Sequence, residues 1–262
     1  MSKIVSIGNE LLPIRKFKLN SMCKNPSIAI IAKKASGKTI LCATLLKYLF
    51  EEDNISEATI ISPTEYLNHF YGKKFPNSFI HKKYSRTITQ NLLNRQYEMK
   101  LKQEDHRTVL LMDDCLGVFG EWQKDENFDE LISNGRHHGV TTITTFYNPL
   151  GIGPTIRGNF DYVFIMRDDN IKNIQRIYDN YADIFPTKEL FEKTFPALTQ
   201  DFGCMVLVNR GVGNNFFSDR VCWFKADINE LEDYNFKSKP FINCQYDNYE
   251  EEYKKKPLKI TI

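Results

Sequence analysis

The chain has 262 residues, of which 42% are hydrophobic and 26% are charged, an ordinary composition for a globular protein with one large α/β domain. Its formal net charge is only +2, so the overall charge does not by itself require a nucleic-acid partner. The sequence has no apolar run of about 18 residues and therefore predicts no membrane-spanning segment. Its six cysteines form no Cys-x-x-Cys pair, which argues against a zinc site and against a disulfide framework.

After a leader over residues 1–27, the first predicted core element is an apolar strand, 28–32, that runs into Lys-Lys-Ala-Ser-Gly-Lys-Thr. A small residue, four further residues and then Gly-Lys-Thr are typical of a phosphate-binding loop. Its backbone N–H groups would surround a phosphate, and the predicted helix 40–50 would direct its N-terminus at the same anion. Lys38 would neutralise the β- and γ-phosphates, and the Thr39 hydroxyl would ligate Mg²⁺. The predicted nucleotide-binding residues are Ala32, Lys33, Lys34, Ala35, Ser36, Gly37, Lys38, Thr39 and Ile40.

A second predicted strand, 58–61, is followed by an aromatic, basic and turn-rich connection over 64–86, for which we expect little regular structure. Next comes a predicted polar helix, 87–105, with an apolar face formed by Leu92, Leu93 and Tyr97. Basic residues of the connection are candidate contacts for phosphates, although such runs are more often solvated surface. They are Lys73, Lys74, Lys82 and Lys83, and Arg86 belongs to the same basic cluster.

The third predicted strand, 108–112, is apolar on both faces and ends in Asp113 and Asp114. A nucleotide site needs one carboxylate near Mg²⁺ and a second that orients and deprotonates the attacking water. We assign Asp113 to Mg²⁺ and Asp114 to the catalytic base. An apolar strand ending in two acids is common in isolation, and its position downstream of a Gly-Lys-Thr loop makes the joint pattern much more specific.

A predicted helix containing 129–133 ends near Asn134, and a Thr-rich fourth strand follows over 140–146. In ring-forming ATPases an arginine from a neighbouring subunit completes the site, and Arg136, which precedes this strand, is our first candidate for that arginine. In a parallel sheet it lies at the edge opposite the phosphate loop, which favours a role at a subunit interface. Arg157 and Arg167 are the other candidates. At the far end of the strand, Tyr147 or Asn148 is a candidate sensor of the γ-phosphate.

The remaining predicted elements are a fifth strand over 162–166, helices over 171–185 and 188–195, and a terminal strand pair over 204–208 and 221–224. Alternating strands and helices indicate an α/β fold, a P-loop NTPase with a mostly parallel central sheet flanked by helices, in the additional-strand (RecA-like) class. We expect residues 1–226 to form the ATPase domain with its leader. Residues 227–262 are predicted to be a polar, weakly ordered tail.

At these motifs the chain resembles the poxvirus-type genome-packaging ATPases of the FtsK–HerA group, the DNA-pumping enzymes of large DNA viruses. The resemblance spans most of residues 25–225. It rests on the phosphate loop, on Ser62-Pro63, on the two acids, and above all on Asn134-Gly135-Arg136-His137 followed by the segment 154–159, Pro-Thr-Ile-Arg-Gly-Asn. The chain departs from the family pattern at Ala32 and Ala35, which replace glycines, and at Tyr147, which stands where a glutamine sensor is usual.

The resemblance implies an Mg²⁺-dependent ATPase that moves double-stranded viral DNA into a preformed capsid. It further implies ATP and Mg²⁺ as cofactors, sequence-independent DNA binding, a homo-oligomeric ring, and a capsid vertex or membrane protein as a further partner. The implied location is the host cytoplasm, at the viral factory, or the virion. Two alternatives stay open: another P-loop enzyme such as a nucleotide kinase, and a nucleotide-binding scaffold without turnover.

Overall fold

A computed structural model describes residues 2–7, 10–104, 107–115, 121–210, 216–232 and 234. The strands are β1 (Ser2–Ile7), β2 (Glu10–Arg15), β3 (Ser27–Ile31), β4 (Ala58–Ile61), β5 (Ile80–His81), β6 (Thr108–Met112), β7 (Val140–Phe146), β8 (Tyr162–Met166), β9 (Gly203–Val208) and β10 (Val221–Lys225). The helices are α1 (Lys38–Glu51), α2 (Glu65–Asn68), α3 (Arg86–Leu101), α4 (Glu126–Asn134), α5 (Pro154–Arg157), α6 (Ile171–Tyr181), α7 (Lys188–Leu198), α8 (Phe217–Arg220) and α9 (Asn229–Glu232).

The core is an eight-stranded sheet in the order β10-β9-β8-β3-β7-β6-β4-β5. Strands β3 to β8 run parallel to one another, and β9 and β10 extend the sheet as an antiparallel pair. Every residue of β3, β6, β7 and β8 is buried, as expected for central strands that are covered on both faces. The mostly parallel sheet flanked by helices confirms the predicted fold class.

Two apolar layers cover the two faces of this sheet. On one face α1 packs over β3 together with the aromatic side chains of residues 71–79, which follow β4. On the other face α3, α4, α6 and α7 contribute the buried side chains. The loop that joins β3 to α1 follows the last residue of β3 and therefore lies at the carboxyl edge of the sheet.

The leader contains structure that the sequence did not predict. Strands β1 and β2 form an antiparallel hairpin, and Lys16 then bridges to Trp223 on β10. The Phe17 backbone N–H donates to the Trp223 carbonyl at 2.7 Å. The leader thus satisfies part of the exposed edge of β10, which would otherwise offer unpaired backbone groups.

Several predicted boundaries shift in the structure. The connection over 64–86 contains α2, two 3₁₀ turns and the short edge strand β5. On α3 the buried side chains are Thr89, Leu92 and Gln96, so the predicted apolar face was wrong at Tyr97, which is exposed. Helix α7 continues through Pro196, because the buried side chains of Phe195 and Leu198 hold its last turn although the proline supplies no N–H.

Part of the predicted tail is described. Residues 227–232 and 234 include α9, which packs against α1, and the side chains of Leu231 and Tyr234 are buried. Residues 233 and 235–262 lie outside the described residues, so the boundary at residue 226 stays a prediction. No helix in the described segments is long and apolar enough to cross a membrane.

Candidate active site

The sheet order brings the phosphate loop and the two acids to one edge. Strand β3 carries the loop and β6 carries the acids, and β7 lies between them. In the register, Ile31 of β3 pairs with Phe146 of β7, and Met112 of β6 pairs with Thr144 of β7. The strand inserted between loop and acids is the defining feature of the additional-strand class, as predicted.

The loop has the backbone shape of an anion cradle. Gly37 precedes α1 with φ +91°, and Ala35 adopts φ +60°, so the loop twice enters the left-handed region. Glycine reaches this region without cost, whereas alanine does so at some conformational cost. The Ser36 hydroxyl closes the loop by donating to the Lys33 carbonyl at 2.7 Å. Ala35 therefore adopts a backbone conformation that glycine usually occupies, and phosphate binding by the loop stays a prediction.

Lys38 lies between the two acids. Its ammonium is 3.2 Å from Asp113 Oδ1 and also contacts Asp114 Oδ1. Burial lowers the pKa of Lys38, but the negative charges of Asp113 and Asp114 outweigh burial and leave the pKa raised. Since an ammonium group has three N–H donors, two carboxylate contacts leave one donor for a phosphate oxygen.

Asp113 is only 1% exposed, and its carboxylate contacts four side chains. Besides Lys38, it accepts hydrogen bonds from Tyr71 Oη at 2.8 Å, from Thr145 Oγ1 at 3.1 Å and from Thr39 Oγ1 at 3.4 Å. Burial raises the pKa of Tyr71 well above its usual value, so this phenol stays protonated and donates.

A hydroxyl and a carboxylate this close together are the hard oxygen ligands that Mg²⁺ uses alongside phosphate oxygens and water. Thr39 and Asp113 therefore fit the magnesium assignment by donor type and position. In the described residues, no cluster of three or more His, Cys, Asp or Glu side chains forms a different metal site.

Asp114 differs from Asp113 in exposure and in backbone conformation. Its side chain is 39% exposed, and its φ of +57° places a non-glycine residue in the left-handed region. Such strain is often found at functional sites. The Asp114 N–H donates to Thr145 Oγ1 at 3.0 Å, which fixes the turn. The exposed Asp114 carboxylate is accessible to water, which a general base needs, and the base role stays a prediction.

Sequence reasoning missed two residues of this network. The Thr145 hydroxyl is both a hydrogen-bond donor and an acceptor. It donates to Asp113 and accepts from the backbone N–H of Asp114. Tyr71 comes from the connection after α2, where the buried Glu65 carboxylate accepts the Tyr71 and Gly72 N–H groups at 2.9 and 2.7 Å. The Thr-rich strand was a signal for Thr145, whereas no local pattern pointed to Tyr71.

The two candidate sensors lie just beyond β7. The Tyr147 side chain is exposed, and Asn148 Oδ1 accepts the Leu150 N–H at 3.0 Å, which closes a local turn. Thr145 is the β7 side chain that contacts the acids. The sensor assignment to Tyr147 or Asn148 therefore stays a prediction, and the geometry favours Tyr147 because its side chain is not used in a turn.

Lys33 of the loop forms a further contact with the strand on the other side. Its ammonium is 2.7 Å from Asp168 Oδ1, and Asp168 follows β8. The buried Asp168 also accepts hydrogen bonds from Asn170 N and Asn173 Nδ2 at 2.8 and 3.0 Å. This pairing anchors the loop to β8 and gives Lys33 a structural partner.

Arg136 lies at the opposite edge of the sheet, as the sequence suggested. Its guanidinium is 3.5 Å from Asp161 Oδ1, and Asp161 also accepts the Ser27 N–H at 2.9 Å at the start of β3. The Arg136 side chain is 45% exposed. Since β7 separates it from the acids by on the order of 20 Å, Arg136 does not reach the site of its own chain.

The other two arginines have local partners. Arg157 lies over the ring of Tyr181 at 6.0 Å, and Arg167 Nε contacts Asp169 at 2.9 Å. The Asn159 side chain donates to Ser133 Oγ at 2.8 Å and so ties α4 to the segment before β8. Asn159, the last residue of the segment 154–159, therefore has a structural role.

Replacing Thr145 by valine should lower ATPase activity about 10- to 100-fold, because the substitution keeps the shape but removes the hydroxyl that orients both acids. The measurement is phosphate release at saturating ATP over a Mg²⁺ titration, in which the variant should need more Mg²⁺. Thr141→Val is the matched control, since Thr141 is buried on the same face of β7 and its hydroxyl has no partner among the described residues. Equal activity of both variants would remove Thr145 from the site.

The chain is similar to proteins of several large DNA viruses, while no family model matches it. It is 34% identical over 249 residues to protein L437 of Acanthamoeba polyphaga mimivirus, covering 92% of this chain and 85% of L437. It is 32% identical over 235 residues to protein 075L of Invertebrate iridescent virus 6, covering 87% and 88%.

Two solved structures have a similar fold. The DNA-packaging ATPase B204 from Sulfolobus turreted icosahedral virus superposes with a TM-score of 0.59 at 16% identity, over 79% of this chain and all of B204. The genome packaging NTPase B204 of Sulfolobus turreted icosahedral virus 2 in complex with ATP-gammaS superposes with a TM-score of 0.55 at 17% identity, over 73% and 96%. At these identities the likeness concerns the fold, and it agrees with the resemblance drawn from the motifs.

Proposed function

We propose that this chain, which belongs to the family of large-DNA-virus proteins that includes mimivirus L437 and iridescent virus 075L, is an Mg²⁺-dependent ATPase that moves double-stranded viral DNA into a preformed capsid. The observation that carries the proposal is the contact of Lys38 and Thr39 with Asp113 and Asp114 across the inserted strand. The structural similarity to the DNA-packaging ATPase B204 and to the genome packaging NTPase B204 gives independent support.

Each residue of the site has a chemical task in hydrolysis. Backbone N–H groups of the loop and the N-terminus of α1 bind the phosphates, and Lys38 neutralises charge that develops on the transferred phosphoryl group. Thr39 and Asp113 would hold Mg²⁺, which would supply charge neutralisation at the phosphates. Asp114 orients the attacking water and accepts its proton.

Two acids beside the loop lysine favour hydrolysis over phosphoryl transfer to a second substrate. A nucleotide kinase would need an acceptor pocket, and its acceptor would compete with water at Asp114. The alternative of a scaffold without turnover is motivated by Ala32, Ala35 and Tyr147, which replace the residues usual in the family. The left-handed conformation of Ala35 argues against it, because the alanine does not prevent the loop from adopting a backbone conformation that glycine usually supplies.

We further propose that Arg136 completes the site of a neighbouring subunit in a homo-oligomeric ring. Its exposure, and its distance from the acids of its own chain, support a role across an interface. In such a ring the site is incomplete in the free subunit. Asp161 holds the Arg136 guanidinium within the chain, so an acid on the neighbour or a phosphate would compete with Asp161 for it.

DNA binding by this protein would be sequence-independent and would depend on basic side chains that contact phosphates. Lys73, Lys82 and Lys83 are exposed and remain candidates for contacts with DNA phosphates. Lys74 is less suited, since its ammonium donates to the Leu231 carbonyl within the chain. A capsid vertex or membrane protein as further partner, and a location at the viral factory or in the virion, belong to the same proposal.

ATPase activity should rise more steeply than protein concentration and should be stimulated by double-stranded DNA, because the sites are completed only on assembly. The measurement is phosphate release per subunit over a protein titration, with and without DNA of unrelated sequences, at low and high salt. Stimulation should be independent of DNA sequence and should fall as salt rises.

Constant activity per subunit without any effect of DNA would contradict the motor, and phosphate transfer to an added nucleotide would identify a kinase. Tight ATP binding without turnover, even with DNA at high protein concentration, would identify a scaffold.

A further inference from the structure

A cavity of about 710 Å³ opens beside the phosphate loop, on the side away from the two acids. Gly37, Ile40, Leu41 and Thr44 of the loop and α1 form one wall. The ends of β8, β9 and β10, the segment leading into α9, Phe202, and Lys16 and Leu19 of the leader form the rest. A volume in this range is typical of small-molecule sites, and the polar chemistry described above does not use it.

The sheet order determines which part of a nucleotide would reach this cavity. From β3, the acids lie in the direction of β7 and β6, whereas the cavity lies in the direction of β8, β9 and β10. A triphosphate whose terminal phosphate faces Asp113 and Asp114 therefore extends its nucleoside towards the opposite side. Ile40, whose N–H lies in the first turn of α1, is shared by the predicted phosphate site and the cavity wall.

The floor of the cavity is apolar and uncharged. Met166 and Phe224 each pair in register with Cys204, so the three side chains lie in one row across three strands on the α1 face of the sheet. Burial raises the pKa of the Cys204 thiol, which is therefore neutral, and the thiol donates to the Phe224 carbonyl at 3.4 Å. A flat apolar row of this kind suits the face of an aromatic ring.

A strained turn holds an aromatic side chain over the cavity mouth. Asp201 and Phe202 are consecutive non-glycine residues with φ of +50° and +62°. The following Gly203 permits the tight turn, since a Cβ there would lie 2.6 Å from the Leu198 carbonyl oxygen. Phe202 is 65% exposed, and its ring lies next to Gly37, where a Cβ would approach Phe202 Cδ1 to 3.3 Å.

Two strained residues in sequence persist only where the surrounding structure holds them, and they cluster at ligand-binding sites. Here the strain keeps a large apolar ring in water at the boundary between the phosphate loop and the cavity. A core position would have removed that ring from water. The free-energy cost of exposing the Phe202 ring to water is offset if a ligand covers the ring.

We infer that this cavity binds the nucleobase of the nucleotide, and that Phe202 stacks on the base at the mouth of the cavity. The inference rests on the proposed nucleotide-binding function and assigns the nucleoside half of the same site. The charged rim formed by Lys16, Lys225, Asp227 and Glu230 offers donors and acceptors to the ribose and to the base edge. The ligand class is a nucleoside triphosphate, and the base contributes affinity mainly through stacking.

The test separates the base from the phosphates by comparing two ligands in calorimetric titrations with Mg²⁺, the non-hydrolysable ATP analogue AMPPNP and inorganic tripolyphosphate. Phe202→Ala should weaken AMPPNP binding about tenfold, as expected for the loss of one stacking contact, and should leave tripolyphosphate binding unchanged. Phe202→Tyr, which keeps the ring, should restore AMPPNP affinity. Phe216→Ala is the matched control, because Phe216 is similarly exposed at 63% and does not line the cavity.

Equal losses for both ligands, or an unchanged AMPPNP affinity in Phe202→Ala, would overturn the base assignment and leave the phosphate site intact. Wild-type protein that binds tripolyphosphate as tightly as AMPPNP would overturn it as well. If the wild type binds neither ligand, the proposed function fails and the base assignment fails with it.

Discussion

Asp114→Asn should retain nucleotide binding and lose ATP turnover by at least about 100-fold, because an amide cannot accept the proton of the attacking water. The substitution keeps the size of the side chain and leaves its backbone N–H bonded to Thr145. Single-turnover phosphate release with bound ATP measures the chemical step directly. Parallel titration with AMPPNP shows whether binding is preserved.

Asp179→Asn is the control for this substitution. It makes the same change at an exposed acid on α6, remote from the loop, and it should have wild-type activity. Wild-type turnover in Asp114→Asn would contradict the base assignment. Loss of AMPPNP binding would instead indicate that Asp114 acts mainly by holding Lys38 in position.

Lys38→Ala should lower both nucleotide affinity and turnover, with a loss in turnover of about 100-fold or more, since removal of one preorganised donor at a developing charge has an effect of this size. Lys38 is the cation that contacts both acids, so the variant also leaves the buried Asp113 without its lysine partner. Thermal unfolding should be measured alongside ATPase activity. Lys47→Ala, on the same helix and paired with Glu51, should retain activity.

The same variant tests the role of Arg136 across an interface. Subunits carrying Lys38→Ala and subunits carrying Arg136→Ala should each be inactive. When mixed, some interfaces combine an intact loop with an intact arginine and activity should partly return. The absence of any recovery, in mixtures shown by light scattering to co-assemble, would contradict the assignment of Arg136 to a neighbouring site.

The candidate site could be predicted only where its chemistry is local in sequence. Gly37-Lys38-Thr39 and Asp113-Asp114 are short motifs, and their residue types indicate nucleotide chemistry without knowledge of the fold. The sequence does not distinguish Thr145 from the other threonines of β7, because only the register between strands decides which hydroxyl contacts the acids. Tyr71 could not be predicted, because it lies in a connection without periodicity. There the Glu65 carboxylate fixes the backbone of Tyr71 and Gly72 through two hydrogen bonds.

The boundaries of elements were predicted best where a strand is buried on both faces. All five of the predicted core strands are present, because short runs of apolar and β-branched residues, including the threonines of β7, serve as buried strands of a parallel sheet. The leader hairpin was missed, since its pairing with itself and with β10 depends on an edge that exists only after the sheet has formed. The end of α7 was misjudged because packing of Phe195 and Leu198 outweighs the missing proline N–H.

The sequence by itself determined that this protein has a phosphate loop, two acids downstream of it and an alternation of strands and helices. Those properties depend on residue type, short spacing and hydrophobic period, which act between neighbours along the chain. Only the tertiary structure decided that Thr145 and Tyr71 hold Asp113, that Arg136 lies at the far edge of the sheet, and that Phe202 lies next to Gly37 at a cavity. These contacts join residues from different strands and loops, and the order of strands in the sheet, set by packing of whole faces, is what brings them together.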